Sequence, residues 1–448
     1  MNKILNPLFS LNIRETKPEY ALLVIAMVYI ASFAFMLLTG RIVGQCVSDE
    51  CGYIQLGINI LNGYYSSRIP AEINLWWGPG YPVLLAPLIA IGLTREWFVF
   101  VNVLLSVLTI FVLYVTARFF LSKSLAVLAA IVWALYYLHF PYVFSALSEP
   151  LATFLAISFL YFLIRAILVD GQLSNILICG LIFGFLILTK VIFAYVLVAL
   201  FLLTLIASLY ERLRPNSRKV ALALLVAFIT TVPYQFYTFN LTGKVFYFSN
   251  AGGSSLYFMT SPHSGEFGEW NNGTFTANCG FATDVPCNAE KFARNHAHIF
   301  ASAEKLNPIE RDDYLKKIAF ENIINHPLKY MRNYVNNFSR MLFNIPNSYF
   351  YQREQTIARI LPNSILLTLM ILAVGVNLFY LSRFPISVLV IPIFVASYLS
   401  IHLLVSSEPR HFNIMVPCIL VWVFNSLRVL CLGRLSLSRS AFLRQVDN

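Results

Sequence analysis

The run Tyr20–Leu38, YALLVIAMVYIASFAFMLL, contains 19 residues without a charged side chain, and the chain then presents two adjacent acids, Asp49 and Glu50. A helix needs about 20 apolar residues to cross the hydrocarbon core of a bilayer, so this run is long enough to span it. No small-residue cleavage site of the kind that ends a signal peptide follows it. We therefore predict a permanent membrane anchor followed by an acidic loop at the membrane surface.

Composition extends this prediction to the whole chain. The 448 residues are 58% hydrophobic and 12% charged, with a mean hydropathy of +0.70, whereas soluble domains are about half apolar and a quarter charged. A soluble globular protein is therefore excluded. Nine further apolar runs, which bring the predicted spans to ten, are Trp97–Phe119, Leu125–Tyr142, Pro150–Val169, Asn175–Leu188, Val191–Tyr210, Val220–Phe239, Ser364–Leu381, Pro385–Val405 and Phe412–Leu430.

Charge bias gives the predicted orientation, with both termini in the cytoplasm. Fifteen Lys and Arg residues then fall on the inside, and five fall in the short outer segments, namely Arg41, Arg68, Arg95, Lys190 and Arg410. Counting the short segment Tyr81–Leu93 as a span would put the basic turn Arg212–Lys219 outside, against the positive-inside rule. We predict a re-entrant or interfacial element there. The net charge of +11 is spread over separate loops that face anionic lipid, so a nucleic-acid partner is a poor explanation.

The predicted fold class is an all-α polytopic membrane protein with about 10–11 transmembrane helices. One hydrophilic stretch is long enough to form a small α/β or mostly α extracytoplasmic domain, which we call the outer domain. Residues 1–239 form the predicted N-terminal transmembrane catalytic module, which includes the outer loop 41–96. Residues 240–362 form the outer domain, and residues 363–448 form the C-terminal helices and a basic cytoplasmic tail.

Several ionisable residues lie at the outer ends of the predicted spans. They are Asp49, Glu50, Glu149, Lys190, Arg410 and His411. Ionisable groups near membrane depth are expensive to place and are candidates for function by default. Their common side predicts a polar cavity in the outer leaflet. The alternative is that these charges reach to the interface or cap helix ends.

This set of residues fits transfer of a sugar from a lipid-linked phosphate. Phosphate leaves without a strong general acid, so one carboxylate that takes the proton of the acceptor hydroxyl would suffice. Lys190 and Arg410 are the cations available to hold the phosphate. The candidates for stacking on sugar rings are six aromatic residues: Tyr53, Tyr64, Tyr65, Trp76, Trp77 and Tyr81. The alternative is the aromatic belt that occurs at any membrane interface.

The order of these features resembles the GT-C membrane glycosyltransferases, and within them the protein O-mannosyltransferase and aminoarabinose-transferase-like branch. The matching residues are Asp49-Glu50-x-x-Tyr53, Gly78-Pro-Gly-Tyr-Pro82, Ser148-Glu-Pro-Leu151, Thr189-Lys190 and Arg410-His-Phe…Pro417. The match covers most of the chain in order. One departure is Gly80, which stands where the family often has a second proline, and the outer domain matches only loosely.

The resemblance implies a polyprenyl-phosphate sugar donor, transfer on the extracytoplasmic face and inversion at the anomeric carbon. It implies that Asp49 is the general base and that Glu50 positions the base or the acceptor. It also implies that Lys190 and Arg410 bind the donor phosphate. Tyr53, Trp76, Trp77, Tyr81, Glu149 and His411 complete the predicted substrate site. The acceptor is left open between a lipid, a glycan and a protein, and a bacterial inner membrane is the expected location.

No cofactor is required by this chemistry. A divalent metal is left open, because oligosaccharyl-transferring relatives use one and His263, His296 and His298 lie in the outer domain. On a strand, His296 and His298 would point to one face. Two other functions remain as alternatives: a secondary transporter, which would carry ionisable groups near the bilayer midplane, and a polymerase or ligase of lipid-linked glycans.

The cysteines add a smaller prediction. Cys46, Cys51, Cys279 and Cys287 all lie on the predicted outer side, where disulfides can persist. Bridges Cys46–Cys51 and Cys279–Cys287 fit that location, and free thiols fit it equally well, because a sequence does not give connectivity.

Overall fold

The computed structural model describes residues 18–168, 172–271, 289–349, 354–380 and 384–432, and these form helices, turns and loops without a strand. In chain order the helices are α1 (Tyr20–Leu38), α2 (Asp49–Leu61), α3 (Gly80–Ala90), α4 (Arg95–Ala117), α5 (Lys123–Ala134), α6 (Phe140–Val143), α7 (Glu149–Leu168), α8 (Leu173–Thr189), α9 (Ile192–Ser208), α10 (Arg214–Thr242), α11 (Gly252–Met259), α12 (Ala289–Ala303), α13 (Pro308–Asn325), α14 (Pro327–Phe343), α15 (Glu354–Phe379), α16 (Ile386–His402), α17 (Pro409–Asn413) and α18 (Val416–Leu432). Single 3₁₀ turns lie at Pro70–Glu72 and Tyr137–His139.

The predicted all-α polytopic fold is confirmed. Within the described residues, α1, α4, α7, α10 and the segment Thr356–Phe379 of α15 are long and apolar enough to cross a membrane, and a bent helix pair makes a sixth candidate. The four remaining predicted spans coincide with α8, α9, α16 and α18, each of 17 residues. That length is near the lower end of what a spanning helix needs. The predicted re-entrant segment forms α3, which has only 11 residues.

The third predicted span, Leu125–Tyr142, is not the continuous helix that its apolar pattern indicated. It breaks after Ala134 and resumes through Tyr137–Val143 at an angle of 44°. Pro141 lies in the first turn of α6, where a proline is tolerated because its missing N–H would have had no partner in the helix. The proline therefore starts a new helix and cannot extend the previous one.

Two glycines set a close helix contact in the membrane module. Gly180 and Gly184 lie on α8 against α10, and a Cβ on Gly180 would lie 2.6 Å from the carbonyl oxygen of Ala223. A Cβ on Gly184 would lie 2.5 Å from the Cβ of Thr230. Two small residues four apart let helix backbones approach closely in a membrane. This contact positions the end of α8, which Lys190 follows.

The outer domain is helical where it is described, and two helices cross the predicted domain boundaries. Helix α10 continues to Thr242 and α15 starts at Glu354. The small core of the domain contains Tyr257, Phe258, Phe292, Leu315 and Tyr349. His296 and His298, which would point to one face on a strand, both lie on α12, and of the two only His296 is buried. On a helix, residues two apart point in different directions.

Helix α14 attaches the outer domain to the loop before α17. Asn337 is fully buried and donates to the carbonyls of Leu403 and Val405, while its oxygen accepts from the backbone N–H and hydroxyl of Ser407. Arg340, also buried, donates to the carbonyls of Phe267 and Gly268. Buried backbone carbonyls need such partners. The loop that leads into α17, on which Arg410 lies, is therefore held by outer-domain side chains.

Candidate active site

A cavity of about 690 Å³ lies where the ends of the predicted spans meet the outer domain. Seven of the ten residues predicted for the site line it: Asp49, Tyr53, Trp76, Trp77, Lys190, Arg410 and His411. The other three, Glu50, Tyr81 and Glu149, are each at most 3% exposed and lie behind this lining. The predicted common hollow is therefore present, and Asp49 and Lys190 share it.

Asp49 is the first residue of α2, where the helix dipole favours a carboxylate. Ser48 precedes it with φ of 54°, a conformation that non-glycine residues rarely adopt and that is frequent at functional sites. The Cys46–Cys51 disulfide closes the turn around it. One oxygen of Asp49, Oδ2, lies 2.7 Å from Nη1 of Arg410. The second predicted disulfide, Cys279–Cys287, lies outside the described residues.

Glu50 points away from the cavity. Its two oxygens accept from Nε and Nη2 of Arg95 at 2.7 and 2.8 Å, and Oε1 also accepts from the N–H of Ala146 at 2.8 Å. Arg95 donates in addition to the carbonyl of Ile42. A two-point guanidinium–carboxylate pair fixes orientation as well as distance. In this arrangement Glu50 anchors the start of α2 to α4 and to the chain before α7.

Lys190 and Glu149 form the second ion pair of the site. Lys190 directly follows α8, Glu149 begins α7, and Nζ of Lys190 lies 2.7 Å from Oε1 of Glu149. Arg410 lies 3.7 Å from the same oxygen. Charges of alternating sign therefore run from Asp49 through Arg410 and Glu149 to Lys190. A chain of this kind offers two desolvated cations to an anion that can displace the carboxylates.

Arg410 is the centre of this group. It contacts Asp49 and Glu149 and, at 2.9 Å, Oε2 of Glu408. Burial alone would lower the pKa of the Arg410 guanidinium, but Glu408, Glu149 and Asp49 raise it well above its ordinary value. The side chain keeps its charge at every physiological pH. It is therefore a permanent cation at the cavity.

His411 lies beside Arg410 with its ring stacked on His402 at 4.1 Å. Burial, with the nearby His402 and Arg410, lowers the pKa of His411 well below its ordinary value. Its Nδ1 accepts the backbone N–H of Glu408 at 3.0 Å. The neutral ring must then carry its proton on Nε2, because one nitrogen of a neutral imidazole donates when the other accepts. His411 can donate one hydrogen bond from Nε2.

The predicted aromatic residues divide between support and lining. Tyr53 shares a hydrogen bond of 2.7 Å with Ser148 and packs against Trp77 at 5.5 Å and Tyr81 at 5.2 Å. Gly52 leaves the room for Trp77, because a Cβ there would overlap the indole ring. Tyr81 is fully buried and supports Tyr53. Trp76 instead faces Trp270 of the outer domain at 5.5 Å.

Gly80, the departure from the family pattern, has a local explanation. A Cβ at Gly80 would lie 2.7 Å from the backbone nitrogen of Thr189, and one at Gly78 would overlap the carbonyl of Leu188. The chain entering α3 therefore touches the backbone just before Lys190. A proline or any other side chain at position 80 would displace one of the two segments.

Sequence reasoning missed three kinds of site residue. Arg95 was counted only as an outer base, and nothing local indicates that it binds Glu50. Ser148 belongs to a quoted motif, but its hydrogen bond with Tyr53 is not predictable from that motif. The outer-domain residues Phe258, Trp270, Phe300, Glu304 and Arg311 also line the cavity, although no motif marks them. Pairs so far apart along the chain are decided by packing.

The residues near the cavity do not fit a metal ion well. Among the described residues no group of three or more His, Cys, Asp or Glu side chains is arranged to hold one. Arg410 contacts the carboxylates of Asp49, Glu149 and Glu408, and it therefore competes with a metal ion for the same oxygens. His296 binds Glu266 and Tyr257 inside the outer domain, away from the cavity.

Comparison with known proteins bears on this arrangement. Residues 78–237, about a third of the chain, match the family model described as dolichyl-phosphate-mannose-protein mannosyltransferase. This segment contains Gly78–Pro82, Glu149 and Lys190, and the match confirms the resemblance predicted from the sequence. A search of curated proteins gave no match.

Several solved structures are similar to the chain at low identity. The structure of ArnT from Cupriavidus metallidurans bound to undecaprenyl phosphate is 14% identical, with 91% of this chain and 78% of that chain covered and a TM-score of 0.40. The apo oligosaccharyltransferase of Archaeoglobus fulgidus is 13% identical, with 97% and 54% covered and a TM-score of 0.46. Its complex with an inhibitory peptide and a dolichol-phosphate is 15% identical, with 96% of this chain and 54% of that chain covered and a TM-score of 0.43. The chain spans about half the length of that enzyme.

Proposed function

We propose that this protein transfers a sugar from a polyprenyl-phosphate donor to a hydroxyl of an acceptor, on the extracytoplasmic face and with inversion at the anomeric carbon. The observation that carries the proposal is the position of Arg410, 2.7 Å from Asp49 and 3.7 Å from Glu149, with Lys190 bound to the same Glu149 oxygen. A base and two cations therefore meet in one cavity at the ends of the predicted spans.

Lys190 and Arg410 would bind the donor phosphate. Both cations are partly buried, so most of their desolvation has occurred before the donor arrives. A phosphate oxygen then replaces a carboxylate oxygen as their partner. Charge on the phosphate grows as the bond to the sugar breaks, and cations fixed in place stabilise that growth.

Asp49 would act as the general base. It takes the proton of the acceptor hydroxyl while the acceptor oxygen forms its bond to the anomeric carbon and the bond from that carbon to the phosphate oxygen breaks. Polyprenyl phosphate leaves with the bonding electrons. Attack opposite the leaving phosphate inverts the anomeric carbon. This needs one carboxylate, in contrast to the pair that hydrolyses an ordinary glycosidic bond.

Donor binding would also free Asp49. One Asp49 oxygen accepts a hydrogen bond from Arg410, so that oxygen is occupied while the pair is intact. When the phosphate draws Arg410 away, this oxygen becomes available to the acceptor hydroxyl. In this scheme the base becomes active when a donor is present. Glu50 and Glu149 would position α2 and Lys190 without exchanging protons.

The location follows from the same proposal. The basic loops counted on the predicted inner side support cytoplasmic termini and a cavity on the outer face. A bacterial inner membrane fits a polyprenyl-phosphate donor. The transporter alternative is not favoured, because the ion pairs at the cavity involve the start of α2, the start of α7 and the end of α8. A transporter would carry such groups near the middle of its spans.

The test uses the purified full chain in nanodiscs with an undecaprenyl-phosphate sugar and an envelope extract as acceptor, followed by mass spectrometry of released undecaprenyl phosphate and of new glycan. Asp49→Asn should reduce transfer by about 10²–10⁴-fold, the usual contribution of a general base. Asp313→Asn is the matched control, because Asp313 pairs with Lys244 and does not line the cavity. Transfer by Asp49→Asn at the wild-type rate would refute the assignment. Growth of long glycan chains would favour a polymerase.

A further inference from the structure

The cavity has a second wall that the chemistry of the donor does not use. Four aromatic rings from separate segments form it, and we call them the aromatic wall: Trp76, Phe258, Trp270 and Phe300. Trp270 contacts Trp76 edge-on at 5.5 Å and Phe258 edge-on at 5.6 Å, and Phe258 stacks with Phe300 at 5.8 Å. Three of the four residues belong to the outer domain.

We propose that the aromatic wall is the acceptor subsite and that the acceptor is a carbohydrate. The inference rests on the proposed function. A donor anchored in the lipid must bring its phosphate to Lys190 and Arg410, which lie next to span ends. The acceptor must then enter from the opposite side of the cavity, which the outer domain provides.

The chemistry of the wall fits a sugar chain. Aromatic faces bury the apolar C–H faces of pyranose rings, while amide, hydroxyl and carboxylate groups bond to the sugar hydroxyls. Such polar groups interrupt the wall: Asn271, Ser254, Ser255 and Glu304 line the same cavity. A mixed surface of this type is what orients a polar ligand in a mostly apolar pocket.

Two other acceptors fit less well. An extended peptide that binds by adding a strand to a sheet edge would find no edge in the described part of the chain. A lipid acceptor needs a continuous apolar path for its acyl chains. Arg311, together with the polar groups just named, lies in the wall on the outer-domain side, so this side of the cavity presents no such path.

Saturation-transfer NMR on the full chain in nanodiscs without donor tests the proposal. The probes are a panel of hexasaccharides built from glucose, mannose, galactose and N-acetylglucosamine, a Ser/Thr-rich peptide, and phospholipid vesicles. Undecaprenyl phosphate binding is measured separately. At least one hexasaccharide should bind. Trp76→Ala or Trp270→Ala should lower the affinity for it about tenfold, because each variant removes one aromatic contact and the area that it buries.

The two arms separate this inference from the proposed function. Trp76→Ala and Trp270→Ala should leave undecaprenyl phosphate binding unchanged. Lys190→Ala should weaken undecaprenyl phosphate binding but not hexasaccharide binding. Trp97→Ala is the matched control, since Trp97 is 48% exposed and packs on Phe100 away from the cavity. Trp270→Phe keeps an aromatic ring, so it should lose less hexasaccharide binding than Trp270→Ala. It replaces Trp270→Ala in the comparison if that variant folds poorly. Binding by no hexasaccharide, or wall-dependent binding of the peptide or the vesicles, would overturn the carbohydrate acceptor. If the wild type does not bind undecaprenyl phosphate, that result would instead count against the proposed function.

Discussion

Nη1 of Arg410 lies 2.7 Å from Oδ2 of Asp49, although the two residues are 361 positions apart in the sequence. One belongs to the first outer loop and the other to the entry of the last helix. Their contact joins the proposed base to a proposed phosphate ligand. The same guanidinium cannot make its best contact with both the carboxylate and a phosphate, so the two compete for it.

This competition predicts opposite effects of one substitution on binding and on catalysis. Asp49→Asn removes the carboxylate that holds Arg410, so undecaprenyl phosphate should bind about fivefold more tightly. This factor corresponds to the free energy of a partly exposed ion pair, about 1 kcal/mol. Transfer should nevertheless be lost. Titration of the phosphate into nanodiscs by fluorescence or calorimetry measures the first effect. Weaker binding in the variant would contradict the competition, and Asp313→Asn should change neither quantity.

Glu50 should matter for stability more than for chemistry. Removing the acid takes the carboxylate partner from the half-buried Arg95 guanidinium, which keeps its bond to the carbonyl of Ile42, and losing hydrogen bonds to a charged group costs about 1.5–3 kcal/mol. Glu50→Ala should therefore lower the thermal midpoint and the yield of folded protein, whereas Glu321→Ala, at an exposed position of α13, should not. The midpoint is measured in detergent by intrinsic fluorescence. Equal midpoints for the two variants would exclude the anchoring role.

The close contact between α8 and α10 predicts a difference between two glycines. Gly184→Val should destabilise the protein by about 1–3 kcal/mol, because the new side chain overlaps Thr230. It should also weaken undecaprenyl phosphate binding, since α8 carries Lys190 at its end. Gly375→Val on α15 is the control, because a Cβ there meets nothing within 4 Å. Both variants bear the same helix-propensity cost, so equal losses of stability would argue against the contact.

Glu266 predicts an acid-sensitive outer domain. Burial alone would raise its pKa, but the hydrogen bond and charge of His296 and hydrogen bonds from Ser261 and Tyr349 lower it to about 2. A lowered native pKa gives stability that is complete above the unfolded value near 4.5 and is lost as the pH falls toward 2. The loss should reach about 3 kcal/mol. Thermal midpoints between pH 3 and 7 should fall more steeply below pH 4.5 for the wild type than for Glu266→Gln, and parallel curves would refute the assignment.

The sequence by itself determined which segments are apolar enough to enter a membrane. Apolar length located a helix at nine of the ten predicted spans, because the hydrocarbon core sets the number of residues that a helix needs, and the remaining one, Leu125–Tyr142, is broken. The unequal distribution of Lys and Arg gave the predicted sidedness, and the acidic loop after α1 pointed to the cavity. Apolar length and the acidic loop are properties of single segments, and the charge bias is a sum over separate loops, so none of them depends on which segments pack together.

Only the tertiary structure decided which charges meet. It turned Asp49 toward the cavity and Glu50 toward Arg95, although the two acids are neighbours in the chain and chemically alike. It broke the third predicted span before Pro141, and it brought Trp270 and Phe300 from the outer domain to the cavity. Apolar pattern specifies that a helix is buried in lipid, but it does not specify the neighbour of each polar side chain. That choice depends on close packing at Gly180 and Gly184 and on buried carbonyls satisfied by Asn337 and Arg340, between residues far apart along the chain.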